Sequence, residues 1–366
     1  MSTVVSCSYE EGGTVVIIGV DPHKGSHTAT AVSPTMNAPA SSIRVDATLA
    51  GYRQLLRWGK AFPERQWGIE NAHGLGRHLA QWLIARGETV IDVRTTATAR
   101  VRGLSRGGRR KNDVLDASAA ASVAAALGDA SPVGAEDETT VFALLEERRA
   151  NLAANRVRLV NQLHALLREL IPGGARPALT AKAAAALLKS LRPVSAAERT
   201  RKQLARELVQ EIRAVDARLV QIAGRMAEAL HARGTRLLEV QGVGPVLAVR
   251  LLGRTGRPSR FASAAAFASY SGVAPVEVAS GDRARHRLSR SGDRQLNSAL
   301  HLVAVTQVRM LDSVGHRYYD RKIAEGKTHN EAMRCLKRRI ADHVWRLMLQ
   351  DERLHERATG SPTITP

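Results

Sequence analysis

Four acidic residues, Asp21, Glu70, Asp113 and Asp116, have the types and spacing for metal chemistry. Asp21 closes the apolar run Val15–Val20 in VVIIGVDPHK, and Glu70 closes a second short run in WGIEN. Asp113 and Asp116 stand three residues apart in KNDVLDA, so on a helix they share one face. Carboxylates at the ends of buried strands, joined by such a pair, can converge on a divalent cation. Magnesium is the expected ion, because it is hard and takes carboxylate and water oxygens, and the set holds no His or Cys to favour zinc. Two such ions roughly 4 Å apart activate an attacking oxygen and stabilise the leaving one at phosphorus. Each acid alone also has a plainer reading as a solvated charge or a helix cap; Asp116 could simply pair with Arg109 or Arg110. Asp46 and Asp92 follow apolar positions too, and pattern alone does not separate them from the set.

A second chemistry lies in FASYSGVAPVEVASGDRARHRLSRSGDRQLNSAL, where Ser280–Gly281 precedes Arg283, Arg285, Arg287, Arg290 and Arg294. A serine hydroxyl is a weak nucleophile until a base, a metal or a positive field activates it. Guanidinium groups next to it would stabilise charge on a transferring phosphate. The competing reading is a DNA-contacting turn, and Ser271, Ser289 and Ser291 share similar surroundings. Further phosphate contacts are expected from Arg106, Arg109, Arg110 and Lys111 in RVRGLSRGGRRK, which holds six Arg and Lys with three glycines and reads as a mobile basic loop. In VQGVGPVLA, Gly242 and Gly244 would let backbone N–H groups approach a phosphate before a helix N-terminus. A plain turn between packed helices is the alternative.

The elements that must position these residues follow from periodicity. Thr14–Val20 reads as a buried strand, His27–Ser33 as its hairpin partner and Ser42–Ala47 as a third strand. Leu49–Trp58 reads as a helix, Trp67–Glu70 as a strand, Gly74–Arg86 as a helix and Thr89–Val93 as a last strand. Three strands followed by alternating helix and strand is the order of a ribonuclease-H-like α/β domain, in which ligands gather at strand ends. Leucines at 3–4 spacing from Leu152 to Leu170, and apolar residues from Leu204 to Met226, predict two arms of a helical hairpin or coiled coil. Its tip is the Pro-, Gly- and Ala-rich stretch 172–197. LLEVQGVGPVLAVRLL resembles a helix-hairpin-helix. The expected fold class is therefore α/β plus all-α, in four segments: 14–139 bearing the acids, 140–232 the hairpin, 233–350 a mainly helical unit bearing the serine, and 351–366 a disordered tail.

The bulk numbers agree. The 366 residues carry 54 Lys and Arg against 34 Asp and Glu, a formal net charge of +20, which points to a polyanionic partner. Aromatics are only 4%, so base stacking does not dominate binding. Cys7 and Cys335 make neither a zinc site nor a disulfide framework, which fits a reducing cytosol. No apolar stretch approaches the roughly 18 residues of a membrane span, and no signal peptide is visible.

Taken together, VVIIGVDPHK, GIEN, KNDVLDA, VQGVGPVLA, FASYSGVAP, VASG, LSRSGDRQLNSAL and EGKTHNEAM resemble the DEDD-type insertion-sequence transposases of the IS one-ten group, which are bridge-RNA-guided DNA recombinases. The resemblance runs from about Val15 to Gln350. It implies a RuvC-like N-terminal domain whose metal-binding acids match Asp21, Glu70, Asp113 and Asp116, and a C-terminal transposase domain whose serine matches Ser280. It implies that this serine forms a covalent phosphoserine link to DNA, completed by metal-bound acids of another subunit. It also implies donor and target DNA duplexes as partners, a structured guide RNA that pairs with both, homodimers assembling to a tetramer through the coiled coil, and work in the cytosol at the nucleoid. The alternatives are a RuvC-like structure-selective endonuclease that uses water as nucleophile, and a non-enzymatic nucleic-acid scaffold.

Overall fold

The computed structural model describes residues 15–33, 38–104, 112–126, 132–280, 283–288 and 292–359, and the chain divides into two compact units, 1–136 and 137–366. Among the described residues, no helix is long and apolar enough to cross a membrane.

The first unit is a five-stranded sheet in the order β3-β2-β1-β4-β5. Strands β1 (Val16–Pro22), β2 (Ser26–Ser33) and β3 (Ala38–Asp46) form an antiparallel meander. Beyond them β4 (Arg65–Glu70) and β5 (Val90–Val93) lie parallel to β1, reached through helices α1 (Leu49–Gly59) and α2 (Arg77–Ile84). Parallel neighbours need such crossovers, whereas antiparallel ones need only a turn. This strand order and direction is the ribonuclease-H-like, RuvC-like arrangement.

Side-chain alternation sorts each strand between two cores. Ile18, Val20, Ala29, Ala31, Val45, Trp67 and Ile69 join Tyr52 and Leu55 of α1 and Leu79 and Leu83 of α2 on one face. Ile17, Val32, Ile91 and Val93 point to the other face, against Ala120, Ala121 and Ala124 of α4 (Asp113–Ala126). Helix α4 fits closely because the paired residues Gly19 and Gly68 lie beneath it. A Cβ at Gly19 would come 1.9 Å from the Ala117 carbonyl oxygen, and one at Gly68 would come 2.8 Å from Ala124 Cβ. A further helix, α3 (Thr95–Leu104), occupies the start of the stretch expected to be a basic loop.

The second unit opens with α5 (Glu138–Leu170) and α7 (Ala196–Arg233), which pack as the two arms of a helical hairpin. Leu152, Leu159, Leu163 and Leu167 face Val209, Ile212, Val215, Ile222 and Met226 in its core, while Leu204 is 45% exposed. The tip is not featureless: α6 (Ala181–Ser190) buries Ala181, Ala184 and Leu188. A capping box of Ser195 and Glu198 starts α7, and Gly234 in the left-handed region ends it.

Beyond the hairpin come α8 (Pro245–Thr255), α9 (Ala264–Tyr270), the ribbon β6 (Pro275–Ser280) and β7 (Arg283–Leu288), then α10 (Arg294–Arg309), α11 (Val314–Ala324) and α12 (His329–Thr359). These helices and the hairpin share one continuous core rather than two. Arg250 of α8 donates to Glu146 of α5 at 2.7 Å, both side chains being nearly buried. The two-stranded ribbon is an addition to the helical unit expected, since VEVAS and RARHRL are too short and too charged to announce strands. Residues 351–359 belong to α12, not to a tail: buried Asp351 accepts from the Arg236 backbone and Thr235 Oγ1, and buried Glu352 accepts from Ser259.

Candidate active site

The site grows out of the fit of α4 on the sheet. Asp21 lies two residues beyond Gly19 on β1, and Glu70 two beyond Gly68 on β4, so both acids continue the face that α4 covers. On α4, Asp113 and Asp116 lie one turn before Ala117 and Ala120, the residues that touch those glycines. The strand ends and the start of the helix therefore bring all four acids to the same edge of the sheet. Asn112 caps the helix, its Oδ1 accepting from Val114 N at 3.0 Å.

Three ligand atoms gather most closely: one each from Asp21, His23 and Asp113, all within 4.8 Å of one another. His23 was not expected in this group. Its Nδ1 is buried, has no hydrogen-bond partner among the described residues, and lies 3.7 Å from Asp21 Oδ2. Its only trace in the sequence is its place two residues after Asp21. Glu70 and Asp116 do not belong to this triplet but are both buried, at 9% and 4% exposure, on the same side of the sheet. Glu70 Oε1 accepts a hydrogen bond from Thr98 Oγ1 at 3.0 Å, so α3 fixes that carboxylate. Two carboxylates and an orphaned imidazole nitrogen from separate elements suit a divalent cation. The nitrogen makes the set less purely oxygen-based than the four acids alone.

Asp92 separates from the set. It pairs with Ile69 and so faces away from α4, where it accepts the Ala72 backbone N–H at 2.8 Å. Asp46, the last residue of β3, pairs with Ser26 at the same end and on the same face of the sheet as Asp21, but two strands away, and it is outside the ligand triplet.

In the second unit Ser280 is the last residue of β6, paired with Arg283 across the connection 281–282. Arg283, Arg285 and Arg287 take alternate positions of β7. The base of this ribbon is pinned. Gly272, at φ +65°, packs directly on Gly292, whose Cβ would come 2.3 Å from Gly272 N. Asn297 Nδ2 donates to the carbonyls of Ser271 and Gly272, and buried Lys337 donates to Asn297 Oδ1 at 2.7 Å. Burial lowers the pKa of that lysine. Ser271 is thereby committed to the turn, being buried with its hydroxyl on the Ala268 carbonyl.

The expected helix before Gly242 is only a single 3-10 turn, Arg236–Glu239, and Gly242 itself takes φ +84°. Its Cβ would meet Thr306 and the Val303 carbonyl at 3.2–3.3 Å, so packing against α10 already accounts for this glycine. Gly244, which caps α8, faces open space. Arg106, Arg109, Arg110, Lys111 and Arg290 lie outside the described residues, as do Ser289 and Ser291.

A ribonuclease-H-like sheet with carboxylates at its strand ends, followed by a helical unit, is compatible with a divalent metal and with work on DNA. The comparisons give the family. Residues 18–172 match the DEDD transposase model of the IS110 group, and residues 234–320 match the Transposase IS116/IS110/IS902 family. A 44.8 kDa protein of insertion element IS116 from Streptomyces clavuligerus is 28% identical over 95% of this chain and 97% of its own. A 42 kDa protein of insertion element IS900 from Mycobacterium paratuberculosis is 28% identical over 81% of this chain and 85% of its own. Among solved structures, T. thermophilus RuvC in complex with a Holliday junction substrate matches 32% of this chain and 99% of its own, at 15% identity and a TM-score of 0.26. The chain belongs to the IS110 family of insertion-sequence transposases, enzymes that cleave and recombine DNA.

Proposed function

We propose that this transposase cuts and rejoins donor and target DNA with a divalent-metal site and a serine nucleophile. Asp21, Glu70, Asp113 and Asp116 hold the metal, Mg2+ in the cell, with His23 beside them. The observation that carries the reading is the convergence of ligand atoms from Asp21, His23 and Asp113 within 4.8 Å at the mouth of the sheet. Bound there, a divalent cation supplies the Lewis acidity that activates an attacking oxygen and stabilises a leaving one. The protein supplies position. Asp113 and Asp116 ride on a helix locked to the strands by Gly19 and Gly68, and Thr98 holds Glu70.

Ser280 Oγ attacks the phosphorus of a DNA strand and gives up its proton. A deoxyribose oxygen leaves as a hydroxyl, and the strand stays attached as a phosphoserine. Attack by the hydroxyl of another strand then releases the serine. Arg283, Arg285 and Arg287 on the same ribbon neutralise the phosphate. Guidance by a structured RNA, and assembly of homodimers into a tetramer, are carried over from the resemblance to bridge-RNA-guided recombinases.

The test mixes purified protein with Mg2+, RNA transcribed from the flanking non-coding DNA, and labelled donor and target duplexes. Wild type is expected to give a protease-sensitive protein–DNA adduct on a denaturing gel. Ser280→Ala should lose the adduct, and Asp113→Ala should lose all cleavage while still binding DNA. Free nicked product from both wild type and Ser280→Ala would make water the nucleophile, and the enzyme a RuvC-like endonuclease.

A further inference from the structure

One charged group at the candidate metal site belongs to none of the expected motifs. Arg44 lies on β3, the edge strand, yet it reaches the acids. Register explains how. Asp21 pairs with Thr28 on β2, and Thr28 pairs with Arg44 on β3. Paired residues share a face, so Arg44, Thr28 and Asp21 form a row across three strands under the start of α4. From the end of that row Arg44 Nη1 donates to Asp113 Oδ2 at 3.1 Å, and Nη2 donates to Ser26 Oγ at 3.0 Å. The oxygen that Arg44 holds is on one of the three residues that converge as a cation site.

The two occupants exclude each other. A guanidinium and a divalent cation cannot both sit close to one carboxylate oxygen without strong like-charge repulsion. The Arg44 side chain is 66% exposed and Asp113 is 31% exposed, so their ion pair is partly solvated and easily broken. Once displaced, the guanidinium remains tethered at the rim of the site, on the face where a DNA strand must lie for its phosphorus to meet the metal. Its planar fork of donors matches phosphate oxygens, and the Ser26 hydroxyl beside it offers another donor.

We infer that Arg44 and Ser26 form a phosphate subsite for the DNA strand entering the metal centre, and that Arg44 occupies Asp113 until metal binding releases it. The inference rests on the metal-site reading above. Arg44 then has two opposite effects: it competes with the metal in the free protein and contributes to DNA binding in the complex. A residue with a purely structural role would weaken both when removed.

The experiment measures Mn2+ binding to the full-length protein without nucleic acid, and separately the salt dependence of duplex DNA binding, for wild type, Arg44→Met, Arg44→Lys and Ser26→Ala. Breaking an exposed ion pair corresponds to roughly a two- to fivefold change in affinity. Arg44→Met is therefore expected to bind Mn2+ about two- to fivefold more tightly. It should also bind DNA more weakly, with the magnitude of the log–log salt slope reduced by about 1. Arg44→Lys, which keeps the charge without the fork, should retain the slope and part of the competition. Weaker or unchanged Mn2+ binding in a folded Arg44→Met protein would overturn the competition. An unchanged salt slope would overturn the phosphate subsite. Asp21→Asn separates the two levels of argument: if its Mn2+ binding equals that of wild type, the metal-site reading fails, and the slope of Arg44→Met still decides whether Arg44 holds a phosphate.

Discussion

His27 lies on the sheet face opposite α4, because its neighbours in β2, Thr28 and Thr30, point toward that helix. It is 3% exposed, its Nε2 lies 3.3 Å from Tyr52 Oη, and its Nδ1 has no hydrogen-bond partner among the described residues. Burial, then the nearby His23 and His78, lower its pKa from the ordinary 6.5. The unfolded chain therefore takes up this proton more readily than the folded one. Stability from the neutral ring is fully present above pH 6.5 and falls as pH drops from there toward the depressed folded value. Three of the four tryptophans, Trp58, Trp67 and Trp82, lie in residues 1–136, so urea unfolding followed by fluorescence reports mainly on this unit. Its midpoint should drop between pH 7.5 and 5.5, and the drop should shrink in His27→Gln; an equal drop in both proteins would assign the acid sensitivity elsewhere. At this scale the sequence singled out the four acids as candidates by their types and flanking runs. It was not legible for His23, Arg44 or Thr98. Each joins the site through a turn, a register or a helix that only the folded chain defines, and none stands out from its neighbours along the chain.

The central element is α4, and its close approach to the sheet depends on two residues without side chains. Any side chain at position 19 would meet the Ala117 carbonyl and the Ala121 backbone nitrogen, neither of which can move without moving the helix. Gly19→Ala is therefore expected to destabilise the first unit by at least the roughly 1–3 kcal/mol typical of overpacking. It should weaken Mn2+ binding as well, because Asp113 would be lifted away from Asp21. Gly25, whose Cβ would meet nothing within 4 Å, provides the control: Gly25→Ala should leave both unchanged. Equal stability of the Gly19 variant and the control in urea would show that α4 does not bear directly on β1. The strands of this sheet were legible because period-two and continuous apolar runs mark them, and the hairpin was legible because leucine spacing persists over many turns. Helix α3 was hidden by a composition of Thr, Ala and Arg with little apolar periodicity. The ribbon β6–β7 was hidden because its alternate arginines carry the signature of a basic loop as well as that of a strand.

Charge divides unevenly between the two units. Residues 1–136 hold 15 Lys and Arg against 12 Asp and Glu, whereas residues 137–366 hold 39 against 22. The unit with the acid cluster is close to neutral, and nearly all of the net +20 lies in the unit that carries Ser280. For an enzyme that must bring phosphodiesters to carboxylates this arrangement has a physical logic. Long-range attraction would come mainly from the basic unit, which carries 39 Lys and Arg against 22 Asp and Glu. At the cluster itself, among the described residues, Arg44 pairs with Asp113. The consequence is measurable as counterion release, in which log K falls against log salt by about 0.9 for each phosphate neutralised on duplex DNA. Substituting Arg283, Arg285 and Arg287 together by Gln should therefore reduce the magnitude of the slope by about 3. Substituting Arg53, Arg57 and Lys60 by Gln removes the same formal charge from the exposed side of α1, on the sheet face away from the acids. That second variant should bind DNA with nearly the wild-type slope. If the two variants lose the same slope, binding responds to net charge alone and the ribbon holds no phosphates in particular; if wild-type affinity is insensitive to salt, the polyanion reading of the whole chain fails.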